Sequence, residues 1–313
     1  TLRALQRAIR RKATIIIAMG KGRDWMKAVP ALANYRLLFR TSSSQNAKII
    51  ATVHTLLMNP GAVAKMVATL DQISNGRAGL NIVSGSFRDE LNQMGAWRDD
   101  IDHDERYTYA QEWSTIVNRL WSEERVDFEG KYFKFEDCVS EPKPSKKPFT
   151  VCAGQSERGL RFTVRNADAC FVGGKDDAET RSITQMARDI AKEYDESIKC
   201  YCMATLVLDK DNAKAQAKAQ AYRDGKDAGA VEGMMRSYGI DPALKDNAMV
   251  IRAQGAFMSR ELVGEPTTVA DQLISMLDNT AMDGVMLNFD DYDQGLTLFG
   301  EEILPVLRAH YGE

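Results

Sequence analysis

The residue types best suited to chemistry stand just after short apolar runs rich in β-branched side chains. Met19, Gly20 and Lys21 follow Thr14–Ala18; Thr52 and His54 close the run that begins at Lys48; Asn81 and Ser84-Gly85 end Gly79–Val83. Gly154-Gln155-Ser156 follows Phe149–Ala153, Gly173-Gly174 follows Ala169–Val172, and Asp290-Asp291 follows Gly284–Phe289. Parallel α/β folds bind ligands outside the carboxyl ends of their strands. The distribution therefore marks an edge where a site is to be sought, without saying which ligand it takes.

Ser156 opens a helical pattern, and the free N–H groups of a first helical turn bind phosphate well. The plain alternative is an N-cap serine, and spacing alone favours it. Gly154-Gln155-Ser156-Glu157-Arg158-Gly159 also resembles a nucleophile elbow, but its second glycine stands one residue too far for GxSxG, which argues against a serine hydrolase. Arg106 and Tyr107 begin another helical pattern. An exposed arginine is ordinarily a solvated charge; a phosphate is the functional alternative. Asn81 sits in an otherwise apolar run, and a buried amide needs partners that either packing or a ligand can supply. Thr52 by itself signals only β-propensity.

The absences narrow the chemistry. There is no HExxH, no CxxC pair and no histidine cluster among His54, His103 and His310, so no protein-held metal is expected. There is no GxGxxG after a strand and no Walker A lysine. Five cysteines, an odd and scattered set, form no disulfide framework and suit a reducing cytosol. A net charge of −3 lacks the basic stripe that nucleic acid needs. The apolar runs fall far short of a bilayer span and no signal-peptide pattern opens the chain, so a cytoplasmic protein is expected.

Stepping along the 313 residues, seven strand candidates alternate with helices: Thr14–Ala18, Lys48–Thr52, Gly79–Val83, Phe149–Ala153, Ala169–Val172, Tyr201–Leu208 and Gly284–Phe289. Helical patterns cover Gly61–Ile73, Ser156–Asn166, Ala178–Tyr194 and Thr268–Asp278. Strands apolar on both faces and joined by helices pair in parallel with right-handed crossovers. The class is α/β in a single domain, 1–313, either an open doubly wound sheet or a (β/α)8 barrel with one strand not visible. One connection, Val83 to Phe149, is long; it holds a helix around Tyr107–Leu120, a hairpin from Val126 to Phe135, and the tract Pro142, Pro144, Pro148. A second excursion, Asp209–Glu265, reads as polar and alanine-rich, then loop-like.

Gly76-Arg77-Ala78-Gly79-Leu80-Asn81-Ile82-Val83-Ser84-Gly85 resembles the luciferase-like flavin-dependent monooxygenases, most closely their pyrimidine branch, with the alkanesulfonate and dimethylsulfone branches near. The resemblance continues in collinear order through Glu90, Arg106-Tyr107, Asp137-Cys138, Gly154-Gln155-Ser156 and Phe289-Asp290-Asp291, and reaches Arg308. It implies a TIM barrel with the long excursion after strand four, the family's first strand preceding this chain. It implies reduced FMN (FMNH2) and O2, with NAD(P)H acting indirectly through a separate flavin reductase, a small-molecule substrate and a homo-oligomer, dimer or tetramer. Ring-opening of a pyrimidine such as uracil at an amide carbonyl is the implied reaction; an organosulfur or other amide or heterocycle monooxygenase is the alternative.

By position, the resemblance makes Gly20, Lys21, Asn81 and Glu90 flavin contacts and Arg106, Tyr107 and Ser156 the holders of its phosphate end. Thr52 and Asn81 would line the place where O2 meets the reduced ring. His54 is either a pocket acid/base or a hydrogen-bonded barrel histidine. Asp24–Lys48 departs from the family pattern, which leaves a non-catalytic flavin-binding protein as the reading of a different class.

Overall fold

The computed structural model describes residues 48–85 and 88–312. The strand expected at Thr14–Ala18, the Gly20-Lys21 pair and all of the divergent segment before Lys48 lie outside the described residues. The elements run β1 (Ile49–His54), α1 (Pro60–Ser74), β2 (Ala78–Val83), α2 (Arg88–Gln93), α3 (His103–Ser122), β3 (Val126–Glu129), β4 (Lys134–Cys138), β5 (Phe149–Cys152), α4 (Glu157–Asn166) and β6 (Ala169–Phe171). They continue as α5 (Asp177–Glu193), β7 (Lys199–Leu208), α6 (Asn212–Asp224), α7 (Ala228–Ser237), α8 (Ala248–Arg252), β8 (Arg260–Gly264), α9 (Pro266–Thr280), β9 (Gly284–Phe289), α10 (Tyr292–Leu298) and α11 (Leu304–Tyr311). A π-helical turn, Phe299–Ile303, joins the last two helices.

One sheet carries the order β1-β2-β5-β6-β7, with every pairing parallel. All its strands therefore end on the same edge. Side chains alternate between the two faces of each strand. On the outer face Val53, Leu80, Ile82 and Cys152 pack with Val63 and Val67 of α1 and Trp113 and Ile116 of α3. On the inner face Ile50, Phe149, Val151, Ala169, Phe171, Tyr201 and Met286 form a separate cluster contributed by five strands. That second cluster is the barrel floor, and the same face continues toward the C-terminal edge as Thr52, His54, Asn81, Val83 and Asn288.

All six expected strands among the described residues are present. The second excursion, however, is not loop-like throughout: it folds into α6, α7, α8 and the strand β8. Residues 204–206 of β7 pair with both β8 and β9, and Tyr201 pairs with both β6 and β9. Hence β9 occupies one edge of β7, while β6 and β8 follow each other along the opposite edge. β8 reads weakly because Arg-Glu precedes only two apolar residues, and its partner strand lies more than fifty residues upstream. Its free edge is covered by Gln272 of α9, whose amide accepts from Val263 N at 3.1 Å and donates to Val263 O at 3.2 Å.

The first excursion is tied down from α3 and α1. The Glu112 carboxylate accepts the backbone N–H groups of Lys131, Tyr132 and Phe133 at 2.8–3.2 Å, clamping the hairpin turn. Asp71 accepts both the N–H and the hydroxyl of Ser145 at 2.7 Å, fixing the proline-rich return to β5.

The cysteines test this layering. Cys152, Cys170, Cys200 and Cys202 are buried free thiols, and Cys138 is half-buried. Burial raises the Cys152 pKa and pushes Cys202 up to about 11. Since the thiolate is the reactive form, an aromatic disulfide reagent should titrate one thiol of the native protein, Cys138, and all five after denaturation. Two or more fast-reacting thiols in the native state would contradict the strand placement.

Candidate active site

Parallel pairing sets Thr52 of β1 opposite Asn81 of β2. The Asn81 Nδ2 donates to Thr52 Oγ1 at 3.2 Å. The hydroxyl accepts that bond and keeps its own proton available for a bound group. Asn81 Oδ1 is buried and has no partner among the described residues. Two residues along the same inner face, His54 Nδ1 is also buried and has no partner among the described residues. Desolvation lowers the His54 pKa, opposed by the charge of Glu90 on α2. His54 is therefore neutral at pH 7, one ring nitrogen carrying a proton and the other a lone pair.

A second group of residues converges from the first excursion and the β5–α4 turn. Tyr107 is buried against Phe162, ring centroids 5.6 Å apart. Its hydroxyl is wedged at Gly154 and Gly159, where an added Cβ would stand 2.8 and 2.6 Å from it. Burial raises its pKa, opposed by the nearby hydroxyls of Ser84 and Ser156. Ser156 caps α4, accepting from Gly159 N at 3.1 Å. Among the described residues no histidine bonds Ser156, so the elbow-like spacing does not create a hydrolase triad. Arg106 lies over the Trp97 ring at 4.9 Å and has no carboxylate partner among the described residues. Gly85, at φ +137°, makes room for it, since a Cβ there would come within 2.9 Å of Arg106 Cδ. One guanidinium, the hydroxyls of Ser84, Tyr107 and Ser156 and the N-terminus of α4 thus stand at neighbouring strand ends. That donor set fits a phosphate monoester.

The structure therefore gathers Thr52, Asn81, His54 and Glu90 on one side and Arg106, Tyr107 and Ser156 on the other, all at one sheet edge. Two participants escaped the sequence reading. The glycines 154 and 159 act as a cradle for Tyr107, although their unusual spacing was the available signal. Arg252 of α8 donates to the carbonyls of Gly173 and, at 3.2 Å, Gly174, so the second excursion reaches over the end of β6. That contact spans almost eighty residues and leaves no local trace.

A parallel barrel with these groups at its C-terminal edge is the frame of a cofactor-using enzyme, and the comparisons supply the class. The luciferase-like monooxygenase family model matches residues 42–283. Pyrimidine monooxygenase RutA of Acinetobacter baylyi is 35% identical over 271 residues, covering 84% of this chain and 73% of that protein. The Caulobacter vibrioides protein of the same name is 33% identical over 275 residues, covering 85% and 77%. Among solved structures, EDTA monooxygenase from Chelativorans sp. superposes with a TM-score of 0.79 at 21% identity over 99% of this chain and 86% of that one. DmoA from Hyphomicrobium sulfonivorans gives 0.78 at 23%, covering 99% and 80%. The chain belongs to the luciferase-like monooxygenases. It is a flavin-dependent oxidoreductase on a (β/α)8 barrel, as the motif at 76–85 implied. No helix among the described residues is long and apolar enough to cross a membrane.

Two outcomes follow from the geometry. Gly159→Ala forces a methyl against Tyr107 and should cost about 1–3 kcal/mol of stability, the usual scale of overpacking. Gly233→Ala in α7, where a Cβ meets nothing within 4 Å, should be neutral or stabilising by up to about 1 kcal/mol. Denaturant unfolding of the pair checks the cradle; equal effects would refute it. For His54, the unfolded chain binds a proton more readily than the folded one. Stability should fall as pH drops below about 6.5 and stop falling below the depressed folded value. His54→Gln should remove that part of the acid limb. Urea midpoints at about pH 7.5 and about pH 5.5 decide it, and an unchanged difference between them would exclude a buried neutral imidazole.

Proposed function

We propose that this chain is the oxygenase component of a two-component monooxygenase, taking reduced FMN from a separate NAD(P)H-dependent reductase and opening the ring of a pyrimidine such as uracil at an amide carbonyl. The observation that carries the reading is the anion cradle at Arg106, Tyr107 and Ser156 on the same edge as the Thr52–Asn81 pair. The relatives named pyrimidine monooxygenase, matched over 84% of this chain, support the substrate class.

Bound reduced FMN would supply the electrons that activate O2. Arg106, Ser156 and the α4 N-terminus would hold its phosphate, with Tyr107 fixing the cradle from below. Asn81 and Glu90 would flank the ring, and Gly20 and Lys21, outside the described residues, would complete the set. The Thr52 hydroxyl, oriented by Asn81 Nδ2, donates to the reacting oxygen. Such a fixed donor stabilises charge that develops during reaction more than it stabilises the bound ground state. Neutral His54, two residues along the same strand face, carries one N–H and one lone pair, so it can pass a proton without first shedding charge. The excursion that carries Arg252 shields the edge from water.

Thr52→Val keeps the shape and deletes the hydroxyl. Single-turnover oxygenation should fall by roughly ten- to a thousand-fold, the range for losing one such donor, while reduced-flavin affinity changes by less than about 1 kcal/mol. Arg106→Ala should do the reverse, weakening FMN binding by about 1.5–3 kcal/mol. Mass spectrometry with ¹⁸O2 and an added reductase gives the product. Turnover unaffected by Thr52→Val would reduce Thr52 to a strand residue, and unaltered FMN affinity in Arg106→Ala would displace the phosphate site.

A further inference from the structure

We infer that Asp290 accepts a ring N–H of the substrate and thereby sets specificity, an assignment that rests on the pyrimidine reading above and deepens it. Three observations carry it. The first is position. Leu287 and Phe289 belong to the outer layer with Val269 and Leu273 of α9, and Met286 belongs to the inner cluster. Asp290 N donates to Leu206 O at 3.2 Å, so the ladder runs one residue beyond β9. Alternation then puts 286, 288 and 290 on the inner face, at the edge that carries Thr52 and Asn81.

The second is the state of the carboxylate. The Asp290 side chain is only 2% exposed. Its Oδ2 receives Lys218 Nζ at 3.2 Å and the Tyr222 hydroxyl at 3.4 Å, both from α6. Lys218 is shared with Leu208 O at 2.7 Å. Oδ1 is buried and has no partner among the described residues. A buried acceptor left unpaired costs stability, and ligand binding relieves that cost only if the ligand brings a donor. One oxygen tethered and the other free also fixes the direction of acceptance.

The third is complementarity. Asn81 Oδ1 is another buried acceptor on the same edge with no partner among the described residues. Buried acceptors left unpaired favour ligands that present donors. A cyclic amide or imide does so through its ring N–H groups; a hydrocarbon or a sulfone does not. Sites built to hydrogen-bond a polar group reject analogues that lack it far more strongly than apolar pockets reject a misfit.

The test uses the whole chain with FMN, a flavin reductase and O2, and compares uracil, 1-methyluracil and 3-methyluracil. The wild type should prefer uracil over at least one methylated form by a hundred-fold or more in kcat/KM, on the order of a lost designed hydrogen bond. Asp290→Asn should raise the uracil KM by about ten- to a hundred-fold and shrink that preference by at least about ten-fold, with FMN affinity held within about two-fold. Lys218→Met, which removes the tether that aims Oδ1, should lower Tm and shrink the preference in the same direction as Asp290→Asn. Equal kcat/KM for all three substrates in the wild type would show that no ring N–H is read and would overturn the assignment without any variant. So would an Asp290→Asn protein that keeps the preference, or one that loses FMN affinity instead. A wild type that oxygenates none of the three overturns the pyrimidine reading and this assignment with it; an active wild type with an unaltered Asp290→Asn overturns the assignment alone.

Discussion

Parallel register between β1 and β2 is the constraint on which the reactive side of the molecule depends. It sets Thr52 against Asn81 and His54 against Val83. Because side chains alternate, a slip of one residue in β1 would turn Thr52 and His54 outward into the helices and bring Val53 into the lumen, and a slip in β2 would do the same to Asn81 and Ile82. The outer layer resists that slip: Val53, Leu80 and Ile82 are buried against α1 and α3, and their exposure would cost several kcal/mol at about 25 cal/mol per Å². Packing on one face of the sheet thus holds the chemistry on the other.

Helix α3 does the corresponding work for the anion cradle. Its buried stripe of Trp113, Ile116, Val117 and Leu120 seats it on the sheet. The Trp113 indole N–H donates to Met58 O at 2.7 Å, which ties the helix to the loop after β1. From that seat its first turns present Arg106 and Tyr107 to the β5–α4 turn, and Glu112 holds the hairpin. A long excursion in a barrel would ordinarily be free to move; here three carboxylate-to-backbone bonds and a buried helix make it a fixed wall.

The polar atoms that the fold leaves unpaired also carry meaning. His54 Nδ1, Asn81 Oδ1 and Asp290 Oδ1 are buried at the C-terminal edge without partners among the described residues. Such groups cost free energy in a folded chain. Their collection at the edge where this family's fold places its site accords with strain retained for a ligand. Away from that edge the described residues hold both kinds: Thr205 and Ser259 pair their hydroxyls at 2.6 Å, while the Ser114 and Ser140 hydroxyls are buried without a partner among the described residues.

Much of this was legible in the sequence because the signals are local. β-branched runs that are apolar on both faces mark the strands of a covered parallel sheet. Gly284–Phe289 matches to the residue, and Ser156 stands as the cap of α4, as its spacing implied. The motif from Gly76 to Gly85 located Asn81, Ser84 and Gly85 because a backbone turn with φ +137° admits little but glycine. The strand β8 stayed hidden: its Arg-Glu opening suits a loop, and only pairing with β7 and capping by Gln272 make it a strand. The sequence could name Thr52, His54, Arg106 and Asp290, but not which partners they meet or which of their atoms stay unpaired. Those facts arise from contacts between residues tens of positions apart. Local propensity carries no record of such contacts, and only packing of the closed core decides them.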